Sequence, residues 1–470
     1  MPVTGATNET MAILNTTETM IAQSALSAPE QARADGENAL DYLRERGFVQ
    51  DVTDEEGLRR AFAEDVVTGY IGFDPTGVSL HAGHMVSIMM LANLQRLGHR
   101  PIALAGGGTA MVGDPTGRTS AREVIAPEDL DRNVAALRGQ LGRYLDYSGG
   151  RFGENPAALL LNNADWLLEL KYIPFLRDIG RHFSVNEMLA AETYRTRLES
   201  TGLNFVEFNY RLVQAYDFLQ LYRSEGCLLQ LGGSDQWGNI TAGVDLIRRA
   251  DGAKAYAIVS PLITTATGEK MGKTGSGVRV WLDQELTSPF DYYQYWVNTD
   301  DSLVASCLRL FTFIPEERIA DLTSVQGAAL REAKQVLAFE ATVLAHGSTA
   351  AEEARGGTRA LFASARLSDS VTLQAEAEVV RAAIPTTEIP VSEVESGLSL
   401  ADAFIRAELT KSRGEARRLA KQGGLSVDDK RVADVDLPFN DTLGGKDAVL
   451  LRVGRKRFRR VVVGQTIREV

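Results

Sequence analysis

Cysteine is scarce: Cys227 and Cys307 lie 80 positions apart, with no Cys or His spaced around them as metal ligands. That excludes a disulfide framework and a readable zinc site, and it points to a reducing, cytoplasmic compartment. Long apolar runs are also missing. The richest stretch, 85–97, is interrupted by Ser87, Asn93, Gln95 and Arg96, short of the ~18 apolar residues a membrane span needs. The first 37 residues hold a single basic residue, Arg33, and have neither the apolar core of a secretory signal nor the arginine content of an organelle-targeting peptide. They read as a disordered extension, or as a start assigned too early, with Met11 and Met20 as alternative starts.

What is present is a chain of 470 residues, 44% hydrophobic and 24% charged, with a mean hydropathy of -0.12. These values belong to a folded protein of two or three domains and exclude wholesale disorder. The net charge of -12 opposes nucleic-acid binding by bulk charge, but it is unevenly spread. Residues 398–470 hold sixteen Lys and Arg against ten Asp and Glu, or +6, which leaves -18 for residues 1–397. A nucleic-acid contact should therefore be local.

From about Asn38 the pattern is structured. A short amphipathic helix precedes a strand at 66–73, then a helix at 83–97 and a strand at 101–104 punctuated by Gly106, Gly107 and Gly108. Strands at 227–231 and 255–259 alternate with helical patterns at 210–223 and 240–249. Alternating strands and helices predict an α/β, doubly wound parallel sheet over 38–285, with a helical insertion at about 121–201. Residues 286–383 read as a helical domain. The stretch 384–397, with Pro385, Pro390 and Gly397, reads as a linker to a small basic domain at 398–470.

Three clusters concentrate the chemistry. In the first, Tyr70-Ile71-Gly72-Phe73-Asp74-Pro75-Thr76 leads into His81-Ala82-Gly83-His84, a strand and turn feeding a helix start. Free N–H groups there favour phosphate, Gly83 lets a base or ribose approach the backbone, and imidazoles can bond phosphoryl oxygens. In the second, Lys270-Met271-Gly272-Lys273-Thr274 lies in a glycine-rich stretch suited to closing on a polyphosphate and neutralising charge as it develops. In the third, Tyr210, Gln214 and Asp217 share one helical face and can present donors and acceptors to a small polar ligand, with Gly232-Gly233-Ser234-Asp235-Gln236 following a strand end nearby. Each alone has a plainer explanation: a helix cap, an exposed loop, a solvated face.

Together they carry a resemblance. His81 to His84 and Lys270 to Thr274 resemble the His-Ile-Gly-His and Lys-Met-Ser-Lys-Ser signatures of class I aminoacyl-tRNA synthetases. The segments 70–76, Tyr210-x-x-x-Gln214-x-Tyr216-Asp217 and 232–239 resemble the bacterial tyrosyl-tRNA synthetase family, in the same order and over more than 90% of the chain from about Asn38. Gly272, Thr274 and Ala82 depart from the usual signatures, and Arg118 stands where lysine is common. The resemblance implies a Rossmann-like catalytic domain, a helical domain for the tRNA anticodon region and an S4-like α+β RNA-binding domain.

It also implies site roles. Tyr70 and Asp217 would bond a phenolic hydroxyl, while Tyr210, Gln214, Asp114 and Gln236 would hold the ammonium and position the amino acid. Gly72, Asp74, Thr76, His81, Gly83, His84, Ser87, Gly233 and Asp235 would surround ATP, and Lys270, Lys273 and Thr274 would close over its pyrophosphate. Magnesium would arrive with ATP, with no protein-held metal or organic cofactor. The implied partners are tyrosine, ATP, tRNA and a second copy of the chain, joined through the inserted helical segment. In the basic tail, Arg413, Arg417 and Lys421 share a helix face beside Arg418, and Arg455, Lys456 and Arg457 form a second cluster. Both are candidates for tRNA contact. The tail's hairpin would turn at Asp428-Asp429. Two rival readings are a tryptophan-type synthetase, disfavoured by Tyr70, Asp217 and the tail, and an RNA-binding scaffold without catalysis, disfavoured by intact His81, His84, Lys270 and Lys273.

Overall fold

The computed structural model describes residues 27–114, 127–190, 192–200, 202–265, 268, 271–273, 277–364, 386–428, 430–454 and 457–464. They divide into two compact units, one running to Arg279 and including Asp300–Leu330, the other comprising Val280–Thr299 and the chain from Arg331.

The first unit begins with α1 (Ala28–Ala34) and α2 (Ala39–Glu45), followed by β1 (Asp51–Val52), β2 (Thr68–Phe73), α3 (Met85–Arg96) and β3 (Arg100–Ala105). After α4 (Pro127–Leu141) come β4 (Leu159–Asn162), α5 (Phe205–Glu225), β5 (Cys227–Gly233), α6 (Trp237–Asp251) and β6 (Tyr256–Ser260). The strands form one sheet in the order β1-β6-β5-β2-β3-β4, parallel except where β1 pairs β6. Chain order runs outward from β2 through β3 to β4, then returns to β5 on the other side of β2. The boundary between β2 and β5 is therefore the topological switch point, where ligands bind beyond the carboxyl ends of strands in such sheets.

Helix α3 lies against this sheet and is buried along nearly its whole length. Three of the polar residues that interrupt its apolar run, Asn93, Gln95 and Arg96, find partners, which helps them to be tolerated there. Asn93 donates to the Met89 carbonyl at 2.7 Å, and the Gln95 amide donates to the carbonyls of Asp146 and Pro156 at 2.7 and 2.8 Å. Arg96 lies between the rings of Phe152 and Phe313, at 3.7 and 4.1 Å, and pairs with Glu30 of α1 at 2.7 Å. The expected disordered extension is thus corrected over 27–37: α1 carries a capping box at Ser27 and buries Ala28, Pro29 and Ala32. Residues 1–26 lie outside the described residues.

Two further boundaries differ from the sequence reading. The insertion is not wholly helical, since Leu159–Asn162 extends the sheet beside β3. Residues 300–330, expected in the helical domain, group with the first unit. The buried Arg46 secures them there by donating to the carbonyls of Ile314 at 2.7 Å, Leu308 at 3.3 Å and Thr312 at 2.6 Å.

In the second unit, α7 (Pro289–Val297) packs on α8 (Arg331–His346) and α9 (Ser348–Ser364), with Gln294 donating to the Thr358 hydroxyl at 2.6 Å. The carboxyl-terminal sheet has the order β7-β11-β10-β8-β9, formed by β7 (Thr386–Pro390), β8 (Leu425–Val427), β9 (Lys430–Arg431), β10 (Ala448–Val453) and β11 (Arg457–Gly464). The stretch expected to be a linker is therefore corrected from Thr386 onward: β7 pairs in parallel with β11 and buries Ile389 in a core with Phe404, Leu451 and Val461. Helix α10 (Leu400–Arg406) and the basic α11 (Arg413–Lys421) cover that sheet. At the β8–β9 turn, Asp428 takes a φ of 44° and its carboxylate accepts from the Leu450 amide at 2.8 Å and from Lys446 at 2.6 Å. A short acidic side chain tolerates the left-handed region when it is bonded locally, so aspartate stands there without glycine. Asp429 lies outside the described residues.

Candidate active site

Tyr70 sits on β2 between Ile102 of β3 and Gln230 of β5. It is fully buried, its ring lies 5.4 Å from that of Phe218, and its hydroxyl has no hydrogen-bond partner. Burial, reinforced by the nearby Asp217 charge, pushes this phenol well above its ordinary value, so it stays a donor.

Asp217, on the inward face of α5, is held at both oxygens. Asn163 donates to Oδ2 at 2.9 Å and the Trp166 indole donates to Oδ1 at 2.8 Å. Burial raises the Asp217 carboxyl to about 7, with the Asn163 and Trp166 bonds opposing the rise and the Asp74 charge adding to it. Asn163 is in turn fixed by the loop after β3: its Oδ1 accepts from the Gly108 amide at 2.8 Å, and its Nδ2 donates to the Thr109 hydroxyl at 3.0 Å. One turn of α5 before Asp217, Gln214 has a buried Oε1 with no partner, and two turns before it Tyr210 is buried. Gln236 donates to Asp114 at 2.8 Å and accepts from Asn239 at 3.2 Å. Together these residues offer a buried hydroxyl donor, an anchored acceptor and an amide oxygen to a small ligand.

Asn163, Trp166, Thr109 and Asn239 were not singled out from the sequence. The available signal was Asn162-Asn163 directly after an apolar strand, at the strand end where ligands sit.

Beyond β2, His81 and His84 flank a single helical turn that leads into α3. The His81 amide donates to His84 Nδ1 at 3.2 Å, the Gly83 amide donates to His81 Nδ1 at 3.1 Å, and the rings lie 4.0 Å apart. With each Nδ1 accepting, each neutral imidazole carries its proton on Nε2. Burial, then the Arg279 and Lys273 charges, lowers His81 to about 4. Burial, then His81 and Arg279, lowers His84 to about 3. Both are neutral donors near pH 7.

The glycine-rich loop meets this turn backbone to backbone. Gly272 has a φ of 120°, and a Cβ there would lie 2.8 Å from the Gly83 nitrogen; a Cβ on Gly83 would lie 2.9 Å from the Met271 carbonyl oxygen. The signature glycine and the loop glycine thus permit one another's approach. The Met271 amide donates a hydrogen bond to the Ile263 carbonyl at 3.0 Å, and Lys273 pairs with Arg279 in an antiparallel bridge. Lys270, Thr274 and Arg118 lie outside the described residues. Gly72, Asp74, Thr76 and Ser87 stand at the end of β2 and the start of α3, while Gly233 and Asp235 stand at the end of β5. These positions surround the switch point from both sides.

In the tail, Arg413 and Arg417 share the expected face but are engaged locally, with Asp402 at 2.6 Å and Asp436 at 2.8 Å. Arg418 and Lys421 are exposed beside them, as are Lys430 and Arg431 of β9. Arg457 donates to the Glu408 carbonyl at 3.3 Å. Arg455 and Lys456 lie outside the described residues.

A switch-point sheet, a histidine turn at a helix start and a lysine loop folded onto it define a nucleotide-using class I tRNA synthetase. Residues 63–363 match the family "tRNA synthetases class I (W and Y)", and the chain belongs to it. Within that family the similarity is to the tyrosine branch, since residues 377–461 match the "Tyrosine--tRNA ligase SYY-like C-terminal domain". Tyrosine–tRNA ligase of Desulfosudis oleivorans is 50% identical over 91% of this chain and 99% of its own length, and that of Clostridium tetani is 44% identical over 91% and 100%. A C-terminally truncated mitochondrial tyrosyl-tRNA synthetase from Aspergillus nidulans has a TM-score of 0.63 at 33% identity, over 71% of this chain and 97% of that one. No helix among the described residues is long and apolar enough to cross a membrane.

Proposed function

We infer that the chain activates L-tyrosine with ATP and transfers the tyrosyl group to the 3′-terminal ribose of its tRNA. The observation that carries this reading is the buried Tyr70 hydroxyl, unpartnered beside an Asp217 carboxylate held at both oxygens. An unmet buried donor next to an oriented acceptor suits a ligand hydroxyl that accepts from one and donates to the other.

Tyr70 and Asp217 then bond the substrate phenol, and Gln214, Tyr210, Asp114 and Gln236 hold its ammonium end. ATP lies across the switch point against Gly72, Asp74, Thr76, Gly83, Ser87, Gly233 and Asp235 and enters as its magnesium complex. The substrate carboxylate is already ionised at neutral pH and attacks the α-phosphorus without a general base. One carboxylate oxygen bonds phosphorus as the bond to the β-phosphate oxygen breaks, and the electron pair leaves on pyrophosphate. Neutral His81 and His84 donate through Nε2–H, Lys270 and Lys273 neutralise the departing charge, and the Thr274 hydroxyl donates to it. Catalysis here is positioning plus charge stabilisation. In the second step a ribose hydroxyl attacks the acyl carbon, the acyl–phosphate C–O bond breaks, and AMP departs with the hydroxyl proton.

The same reading gives the helices α7, α8 and α9 and the basic tail to tRNA, and it makes the protein cytoplasmic. A homodimer is supported by the exposed large apolar residues Leu168, Tyr172, Ile173, Phe205 and Val206 within one chain segment. ATP–pyrophosphate exchange across all twenty amino acids tests the proposal. Tyrosine should drive exchange; exchange driven by tryptophan instead would overturn it.

A further inference from the structure

We propose that Arg279 is a further cation of the pyrophosphate site, facing the same polyphosphate as Lys273. This rests on the tyrosine-activation reading above. Lys273 and Arg279 are directly opposite in an antiparallel bridge, a geometry that sends both side chains to one side of the loop. The loop is seated on the histidine turn, with Gly272 against the Gly83 backbone and Met271 bonded to Ile263. The two exposed cations therefore project beside the place where the phosphates would meet His81 and His84.

The electrostatics of the histidines agree with that placement. Arg279 depresses His81 more than Lys273 does, and it also acts on His84, where Lys273 is not among the causes. Arg279 thus lies within electrostatic reach of both histidines of the turn. A polyanion lying across both cations is attracted by each. A guanidinium adds what an ammonium does not: a permanent charge and a planar fork that can bond two phosphate oxygens at once. Arg279 exchanges no proton in this role. It bonds β- and γ-phosphate oxygens and meets the electron pair that leaves on pyrophosphate.

The test uses the full-length chain with Arg279→Gln and Arg279→Lys. Pre-steady-state adenylate formation is measured forward, and pyrophosphate half-saturation is measured in the reverse reaction from tyrosyl-adenylate. In the glutamine variant, half-saturation should rise about tenfold and the forward rate fall by a similar factor, as expected for the loss of one charge-assisted hydrogen bond. Tyrosine affinity and tyrosyl transfer from preformed adenylate to tRNA should not change, and lysine should restore part of the loss. Unchanged pyrophosphate half-saturation overturns the assignment, as does an equal loss of tyrosine affinity and transfer, which would mark a merely structural residue. Wild-type exchange with tyrosine keeps the two ideas apart: its absence defeats the underlying reading, and its presence beside an unaffected glutamine variant defeats only the role of Arg279.

Discussion

Replacing Asp217 by Asn should change stability with a sign that depends on pH. Burial raises the Asp217 carboxyl from an ordinary value of 3.8 to about 7. The folded chain then binds a proton that the unfolded chain has already lost, so wild-type stability falls as pH rises from about 4 to about 7. At 1.36 kcal/mol per unit, keeping this carboxyl buried costs the fold about 4 kcal/mol at pH 8, where it is ionised, and about 2 kcal/mol at pH 5, where it takes up a proton that the unfolded chain has lost. Asparagine removes that cost. It also meets two donors, Asn163 Nδ2 and Trp166 Nε1, with a single acceptor oxygen, and a buried donor left unmet costs about 1–3 kcal/mol. The donor mismatch is nearly independent of pH, so it cancels when the two conditions are compared. The stability of the variant relative to wild type should therefore be more favourable at pH 8 than at pH 5 by about 2–3 kcal/mol. Ligand-free urea unfolding at both pH values reads this difference directly. A difference below about 0.5 kcal/mol would mean that Asp217 is not the strained carboxylate inferred here. Adenylate formation by the same variant should be impaired with tyrosine, so that stability at pH 8 is gained where function is lost.

Tyr70→Phe should lower the preference for tyrosine over phenylalanine at least tenfold, out of the preference of ~10⁴–10⁵ already known for tyrosine-activating enzymes; an unchanged ratio in ATP–pyrophosphate exchange would move the hydroxyl contact elsewhere. Glu30→Ala strips the carboxylate from Arg96, whose guanidinium burial already lowers to about 10, and should destabilise the first unit by about 3 kcal/mol in thermal unfolding. A loss under about 0.5 kcal/mol would show α1 to be a passive attachment. Replacing Arg418 and Lys421 together should weaken tRNA binding and make its salt dependence shallower, by more than replacing Arg413 and Arg417, which are already paired with Asp402 and Asp436. Equal slopes for the two double variants would defeat that ranking. A chain ended before Thr386 should keep tyrosine activation and lose most tRNA charging, whereas ending at Ser396 would strand β7 without the β11 it pairs with.

The order of strands and helices, the histidine turn, the lysine loop and the Tyr210–Gln214–Asp217 face are properties of neighbouring residues, and periodicity and glycine punctuation make those legible in the sequence by itself. Uneven charge is likewise a sum over residues, so the basic tail was visible without a fold. What the tertiary structure alone decided involves partners far apart in the chain. Asn163 and Trp166 reach Asp217 across 54 and 51 positions, and no local pattern announces that an amide and an indole will orient a carboxylate. Residues 300–330 join the first unit through a buried arginine more than 260 positions earlier. The proline-marked stretch read as a linker becomes a strand because β11 offers its edge to it, and strand pairing depends on the partner more than on intrinsic propensity. The face shared by Arg413 and Arg417 was predictable from helical spacing, but their neutralisation by Asp402 and Asp436 was not, since it is the packing of α11 against the rest of its domain that delivers those carboxylates.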